Sequence, residues 1–169
     1  YWGLSYYLSL GAFTYPISFL VTDLTNRRYG VGMARRLVAV GFVVAVALSF
    51  VAATPRIALA SGTAFLVGQW LDVTVFDHFR RQSWWRAPLL GSIVGSALDT
   101  ALFFAIAFAG VAELASPVPF PGLGPVPLWV SLAICDFGVK MLIAVLALAP
   151  YGALLAAVKP VEAAAHTSG

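Results

Sequence analysis

Charge is scarce in this 169-residue chain: Asp, Glu, Lys and Arg make up 10% of it, while 61% is hydrophobic. A soluble domain carries about 25% charged residues, and a core of this size cannot hide so much apolar surface, so a water-soluble globular domain is excluded. A single cysteine, Cys135, excludes a disulfide framework within the chain. Set inside an apolar run, it reads as a small packing residue and says nothing of redox compartment. Each of the two histidines, His78 and His166, stands alone, which points to neither a metal site nor a proton relay. HExxH, P-loop and GxSxG patterns are missing, so three common enzymatic readings lose their support. The chain starts at Tyr1 without a methionine, and no cleavable signal peptide with a basic leading region is visible.

What is present is a series of apolar runs near the ~20 residues that cross about 30 Å of hydrocarbon. Five can be drawn, at about 10–26, 37–53, 56–79, 88–111 and 127–149. Together they predict an all-α integral membrane protein, a single transmembrane domain over 1–169. Pro150 is expected to kink or end the last run, because it removes a backbone donor and crowds the preceding turn.

The net charge of +3 reads as topology rather than nucleic-acid binding, because the arginines cluster beside the apolar runs. Arg27, Arg28, Arg35 and Arg36 follow the first run, Arg80, Arg81 and Arg86 the third, and Lys159 the fifth. Only Arg56 lies between the second and third, and the segment VAELASPVPFPGLGPVP between the fourth and fifth has no basic residue. The positive-inside rule then makes the first and third connections, and the tail at 159–169, cytoplasmic. Residues 1–9, YWGLSYYLS, fall outside; they are either the outer end of a missing first helix, giving six spans, or an aromatic interfacial anchor. The proline-rich segment should be stiff and extended, as a cover or a spacer.

Asp23, Gln69, Asp72, Asp99, Asp136 and Lys140 interrupt the apolar runs. A mid-membrane Asp or Lys costs about 2.5–3.5 kcal/mol, so each should face the bundle interior with a partner. Gln69, Asp72 and Phe76, spaced i, i+3, i+7, share one helical stripe and make either half of a pocket or a set of inter-helix hydrogen bonds. In GSIVGSALDTALFF, Gly91 and Gly95 form a small-residue ridge, while Ser92, Ser96, Asp99 and Phe103 trace a polar stripe. Ala60, Ala64 and Gly68 offer a matching ridge, so the third and fourth helices could pack closely enough to place Asp72 and Asp99 in one cavity. Asp136 and Lys140 are i, i+4 with the acid first, either an ion pair or a ligand site. Pro16 is expected to disturb its helix where a cavity is lined. Asp23 and Asn26 share a face near the cytoplasmic end, either gating a path or pairing with Arg27. Asp77, His78, Arg80 and Arg81 read as interfacial charges.

The blocks FTYPISFLVTDLTNRRYG, RIALASGTAFLVGQWLDVTVFDHFR, WWRAPLLGSIVGSALDTALFFAIAF and DFGVKMLIAVLALAPYG resemble, in this order, the signatures of the queuosine precursor transporters, also called the vitamin uptake transporter family. The resemblance runs from about residue 11 to 155. It implies a bacterial inner-membrane importer of 7-deazaguanines such as 7-cyano-7-deazaguanine and 7-aminomethyl-7-deazaguanine, not an enzyme, without cofactor. It also implies six helices in a fold similar to the substrate-binding subunits of energy-coupling-factor transporters, with an ATPase module or a homo-oligomer left open. Ser96 departs from the asparagine of a related proteobacterial member. For such a substrate, Asp72 or Asp99 can accept N1–H and the 2-amino group together, and Gln69 can serve another edge. Phe76, Phe103, Trp70 or Phe137 can stack on the ring. Two other classes stand beside this reading: an intramembrane enzyme with Asp72 and Asp99 as an acid pair, and a structural membrane partner packing through its small residues.

Overall fold

A computed structural model describes residues 10–155, and the side chains of all of these except 10–16 and 52. Residues 1–9 and the basic tail with Lys159 and His166 lie outside the described part. Five helices follow in order: α1 Leu10–Tyr29, α2 Val31–Ala52, α3 Pro55–Phe79, α4 Arg86–Phe108 and α5 Leu128–Leu154. Between α4 and α5 lie a short 3-10 turn, Ala112–Leu114, and a hairpin of β1, Pro117–Phe120, with β2, Gly124–Pro127. Among the described residues, α3, α4, α5 and Val31–Val51 of α2 are long and apolar enough to cross a membrane. The chain is an all-α multi-pass membrane protein. α1 has 20 residues, about 30 Å at 1.5 Å per residue, but carries Asp23, Arg27 and Arg28 in its second half.

Burial is inverted relative to a soluble domain. The most enclosed side chains include Asp23, Asn26, Gln69, Asp72, Ser96 and Asp99 alongside Phe19, Phe76 and Tyr151. Val40, Val43, Val44, Leu48 and Val51 on α2 face outward. That is the arrangement hydrocarbon demands, because polar groups find partners only inside the bundle.

Several boundaries differ from those the sequence suggests, each for a local reason. α2 begins at Val31 rather than near 37, since Gly30, at φ 81°, breaks the chain out of α1 and a new helix starts at once. Arg35 and Arg36 then ride on its first turns, and the Arg35 guanidinium lies over Trp70, 4.9 Å from the ring centroid. α1 runs unbroken through Pro16. α5 likewise continues through Pro150 to Leu154. Its last turn is held by Tyr151, buried against Phe76 and Ala87, whose hydroxyl accepts from Arg27 Nη1 at 3.0 Å. α4 ends at Phe108, where Arg56 donates to the carbonyls of Ile106 and Ala109 at 2.7 and 2.6 Å. The lone arginine outside the clusters thus closes a helix C-terminus, where a cation is favoured.

The proline-rich segment folds into an antiparallel hairpin instead of a simple extended spacer. Pro121 and Gly122, at φ 81°, form a turn in which Leu123 N donates to Phe120 O at 3.2 Å, the proline-then-glycine order of a type II turn. Pro117 faces Pro127 and Pro119 faces Pro125. Proline has no N–H, so these are the non-hydrogen-bonded pairs and the ladder falls to Val118/Val126 and Phe120/Gly124.

Candidate functional site

The site is built on the crossing of α3 and α4, which run antiparallel. A Cβ placed on Gly68 would sit 3.0 Å from Gly95 O and 2.9 Å from Asp99 Cβ; one on Gly95 would sit 2.9 Å from Gly68 O and 3.0 Å from Asp72 Cβ. A Cβ on Gly91 would collide with the Asp72 carboxylate. The absence of side chains is therefore what lets the backbones meet and gives each acid its seat: Asp72 lies on Gly91 and Gly95, Asp99 on Gly68. The two acids face different partners.

Asp99 turns toward α5. Lys140 Nζ lies 2.7 Å from Asp99 Oδ2 and 2.6 Å from Asp136 Oδ2, and it donates to Thr100 Oγ1 at 3.0 Å. Thr100 in turn donates to Asp136 Oδ2 at 3.1 Å. All four residues are buried. One cation thus serves two carboxylates, and all three ammonium hydrogens have an acceptor. Asp99 Oδ1 has no hydrogen-bond partner among the described residues.

Asp72 turns toward α1, where Asp23 is its charged neighbour. Two polar clamps flank the two acids: Thr22 Oγ1 donates to Gln69 Oε1 at 3.1 Å, and Asn26 Nδ2 to Val73 O at 3.2 Å. Asp23 is 1% exposed and Asp72 0%. Yet Asp23 Oδ1, both oxygens of Asp72, Gln69 Nε2, Asn26 Oδ1 and Ser96 Oγ lack a hydrogen-bond partner among the described residues. Buried polar atoms are normally paired, and here open donors and acceptors of α1, α3 and α4 gather in one place. Beside it, Leu20, Asp23, Pro88, Ser92, Ala144, Ala147, Leu148 and Tyr151 line a cleft with an interior of about 10 Å³, room for about one water.

Of the residues singled out in the sequence, Asp23, Asn26, Gln69, Asp72 and Ser96 contribute the open polar atoms, with Asp72 seated against α4. Asp99, Asp136 and Lys140 form the neighbouring ion cluster. The acid-pair enzyme needed Asp72 and Asp99 as mutual partners; instead Asp72 neighbours Asp23, and Asp99 meets Lys140. The rings do not gather at the polar centre. Phe76 is core beside Ala87 and Tyr151, Phe103 packs edge-on against Phe104 and Phe108, Trp70 is 45% exposed, and Phe137 is half-buried. Sequence reasoning passed over Thr22 and Thr100, whose hydroxyls join the networks. Spacing offered a signal for both, since Thr22 adjoins Asp23 and Thr100 adjoins Asp99.

The family model described as "Putative vitamin uptake transporter" matches residues 9–53 and 47–154. The chain is 34% identical over 174 residues to the queuosine precursor transporter of Escherichia coli (strain K12), covering 90% of this chain and 75% of that protein. It is 34% identical to the protein of Haemophilus influenzae named probable queuosine precursor transporter, covering 89% and 70%. Identity is 28% to the protein of the same name in Bacillus subtilis (strain 168), covering 85% and 69%. No solved structure matches the chain significantly.

Proposed function

Given that the chain belongs to the vitamin uptake transporter family, we propose that it imports 7-deazaguanine precursors of queuosine across the bacterial inner membrane. The transported ligands are 7-cyano-7-deazaguanine and 7-aminomethyl-7-deazaguanine. The observation that carries the substrate reading is Asp72, fully enclosed, with two unpartnered oxygens beside the free amide hydrogens of Gln69. A deazaguanine presents N1–H and a 2-amino group side by side, which a carboxylate accepts in a charge-assisted pair, while Gln69 Nε2 donates to a ring acceptor. Asn26 Oδ1 and Ser96 Oγ complete the polar lining. The cleft beside Asp23 holds about one water, so admitting a bicyclic ligand requires α1 and α5 to part from the glycine-locked α3–α4 pair. The charge pattern supports a cytoplasmic C-terminus.

The test is equilibrium binding of 7-cyano-7-deazaguanine to the purified protein, with guanine and riboflavin as competitors. A hydrogen bond to a charged group contributes about 1.5–3 kcal/mol, so Asp72→Asn should weaken binding about 10- to 100-fold. Unchanged affinity in D72N would remove Asp72 from the site. Riboflavin competing as well as a deazaguanine would favour a different vitamin-like ligand.

A further inference from the structure

Building on that reading, we propose that Thr22 on α1 is a positioning residue for specificity: it makes the site accept an oxygen, and refuse an amino group, where the ligand meets Gln69. A carboxamide has two unlike ends, a carbonyl that accepts and an NH2 that donates, and half a turn about its last torsion exchanges them. A buried glutamine therefore tells an acceptor from a donor on a ligand only if one of its ends is held. Here Thr22 Oγ1 donates to Gln69 Oε1 at 3.1 Å, the two residues being 4% and 1% exposed. That occupies the carbonyl end and leaves Nε2, enclosed and without a hydrogen-bond partner among the described residues, as the end on offer.

The Thr22 hydroxyl departs from the habit of its neighbours. A threonine inside a helix commonly donates to the carbonyl four residues back, and Thr25 and Thr74 do so, to Val21 O and Trp70 O, each at 2.8 Å. Thr22 gives its one proton to another helix instead. A second tie fixes it there: Asn26 Nδ2 donates to Val73 O at 3.2 Å, and in both pairs the partner lies 47 positions further along the chain, so α1 and α3 run parallel and in register across this turn. One turn earlier, the Phe19 ring comes so near α4 that a Cβ on Gly95 would lie 3.3 Å from it. The segment of α1 that carries Thr22 is thus seated on both α3 and α4.

Gln69 and Asp72, three residues apart, share one face of α3. With the amide held this way, that face offers one donor, Gln69 Nε2, followed by two acceptors, the oxygens of Asp72, all enclosed and unpartnered among the described residues. The edge that complements it carries one acceptor followed by two donors: the lactam oxygen, N1–H and 2-amino group of a deazaguanine. An amino group in place of the lactam oxygen would set donor against donor and leave the Gln69 amide hydrogens unpaired, which costs more than an ordinary hydrogen bond contributes. A free amide would escape that cost by turning its carbonyl to the amino group. Because the tie joins α1 to α3, the oxygen is checked when α1 is seated against the ligand.

The experiment is equilibrium binding, to the purified full chain, of 7-cyano-7-deazaguanine and of its amino counterpart, in which the lactam oxygen is replaced by an amino group. The readout is the ratio of the two affinities, because a variant that merely loosens the bundle weakens both alike. The counterpart also lacks N1–H; that loss at Asp72 is common to every Thr22 variant and cancels when ratios are compared. Wild type should favour the lactam. Thr22→Val, which keeps the branched shape without the hydroxyl, should narrow the ratio about tenfold, and Thr22→Ala should narrow it as well. Thr22→Ser keeps the donor and should hold the ratio within about twofold of wild type. A ratio unchanged in T22V and T22A, a ratio narrowed equally in T22S, or a wild type that binds both ligands equally overturns the proposal while leaving deazaguanine binding in place. A wild type that binds neither ligand sinks the substrate reading, and this inference with it.

Discussion

Replacing Lys140 with methionine removes the one cation that holds two buried carboxylates. In the native bundle Lys140 Nζ lies 2.7 Å from Asp99 and 2.6 Å from Asp136, so the cluster carries two negative charges against one positive. Methionine matches the length of the lysine stem, which keeps the packing but removes the ammonium that both acids share, while Thr100 still donates to Asp136. Breaking a buried pair by removing one partner costs about 3–5 kcal/mol. At roughly 2–4 °C per kcal/mol for a protein of this size, K140M should lower the thermal midpoint in detergent by about 6–20 °C. The decisive comparison is with K140M/D99N and K140M/D99N/D136N, which step the cluster charge back toward zero. If the loss is electrostatic, the triple variant should recover most of it, since replacing a whole buried ion cluster by neutral groups is often nearly neutral. A K140M midpoint within about 2 °C of wild type, or a triple variant as unstable as the single one, would refute the idea that this cluster exists to neutralise its own charges.

Two further outcomes rest on other contacts. Gly68→Ala and Gly95→Ala each push a methyl group against backbone or a helix-borne Cβ at 2.9–3.0 Å, so each should cost about 1–3 kcal/mol in thermal or denaturant unfolding. Gly138→Ala meets nothing within 4 Å and should leave stability unchanged or raised. Tyr151→Phe deletes the hydroxyl that accepts from Arg27; a loss of about 1.5–3 kcal/mol is expected, and a double-mutant cycle with Arg27→Gln should show that the two losses do not add.

The helices were legible because lipid leaves the chain one signal, apolar length, and four of the five described helices send it. The polar interior was legible for the complementary reason: an acid such as Asp72 cannot face hydrocarbon. Partner choice was not legible beyond one helix. Asp136 and Lys140 are four residues apart and their pairing follows from helical geometry, but the recruitment of Asp99 to the same ammonium depends on how α4 rotates against α5. The glycine ridges pointed to close packing of α3 on α4, and each acid does rest on the other helix's glycines, but Asp99 takes its partner from α5. Aromatic residues misled for a related reason. Phe76 lies on the same stripe as Asp72, but a four-residue step carries it about 6 Å along the axis, into the apolar end where Tyr151 is anchored. Arg56 looked like a topology marker and proved to be a helix cap, a role set by the end of a helix fifty residues away.

The proline alternation in the hairpin has a consequence beyond its own ladder. In a two-strand ribbon the N–H groups of the non-hydrogen-bonded pairs point away from the partner, along the two free margins. Here those positions are Pro117, Pro119, Pro125 and Pro127, so both margins lack the donors another strand would need. An exposed ribbon ordinarily invites strand addition from neighbouring chains. This one can be neither extended nor swapped, and crowded copies of the protein can lie side by side without their loops knitting together.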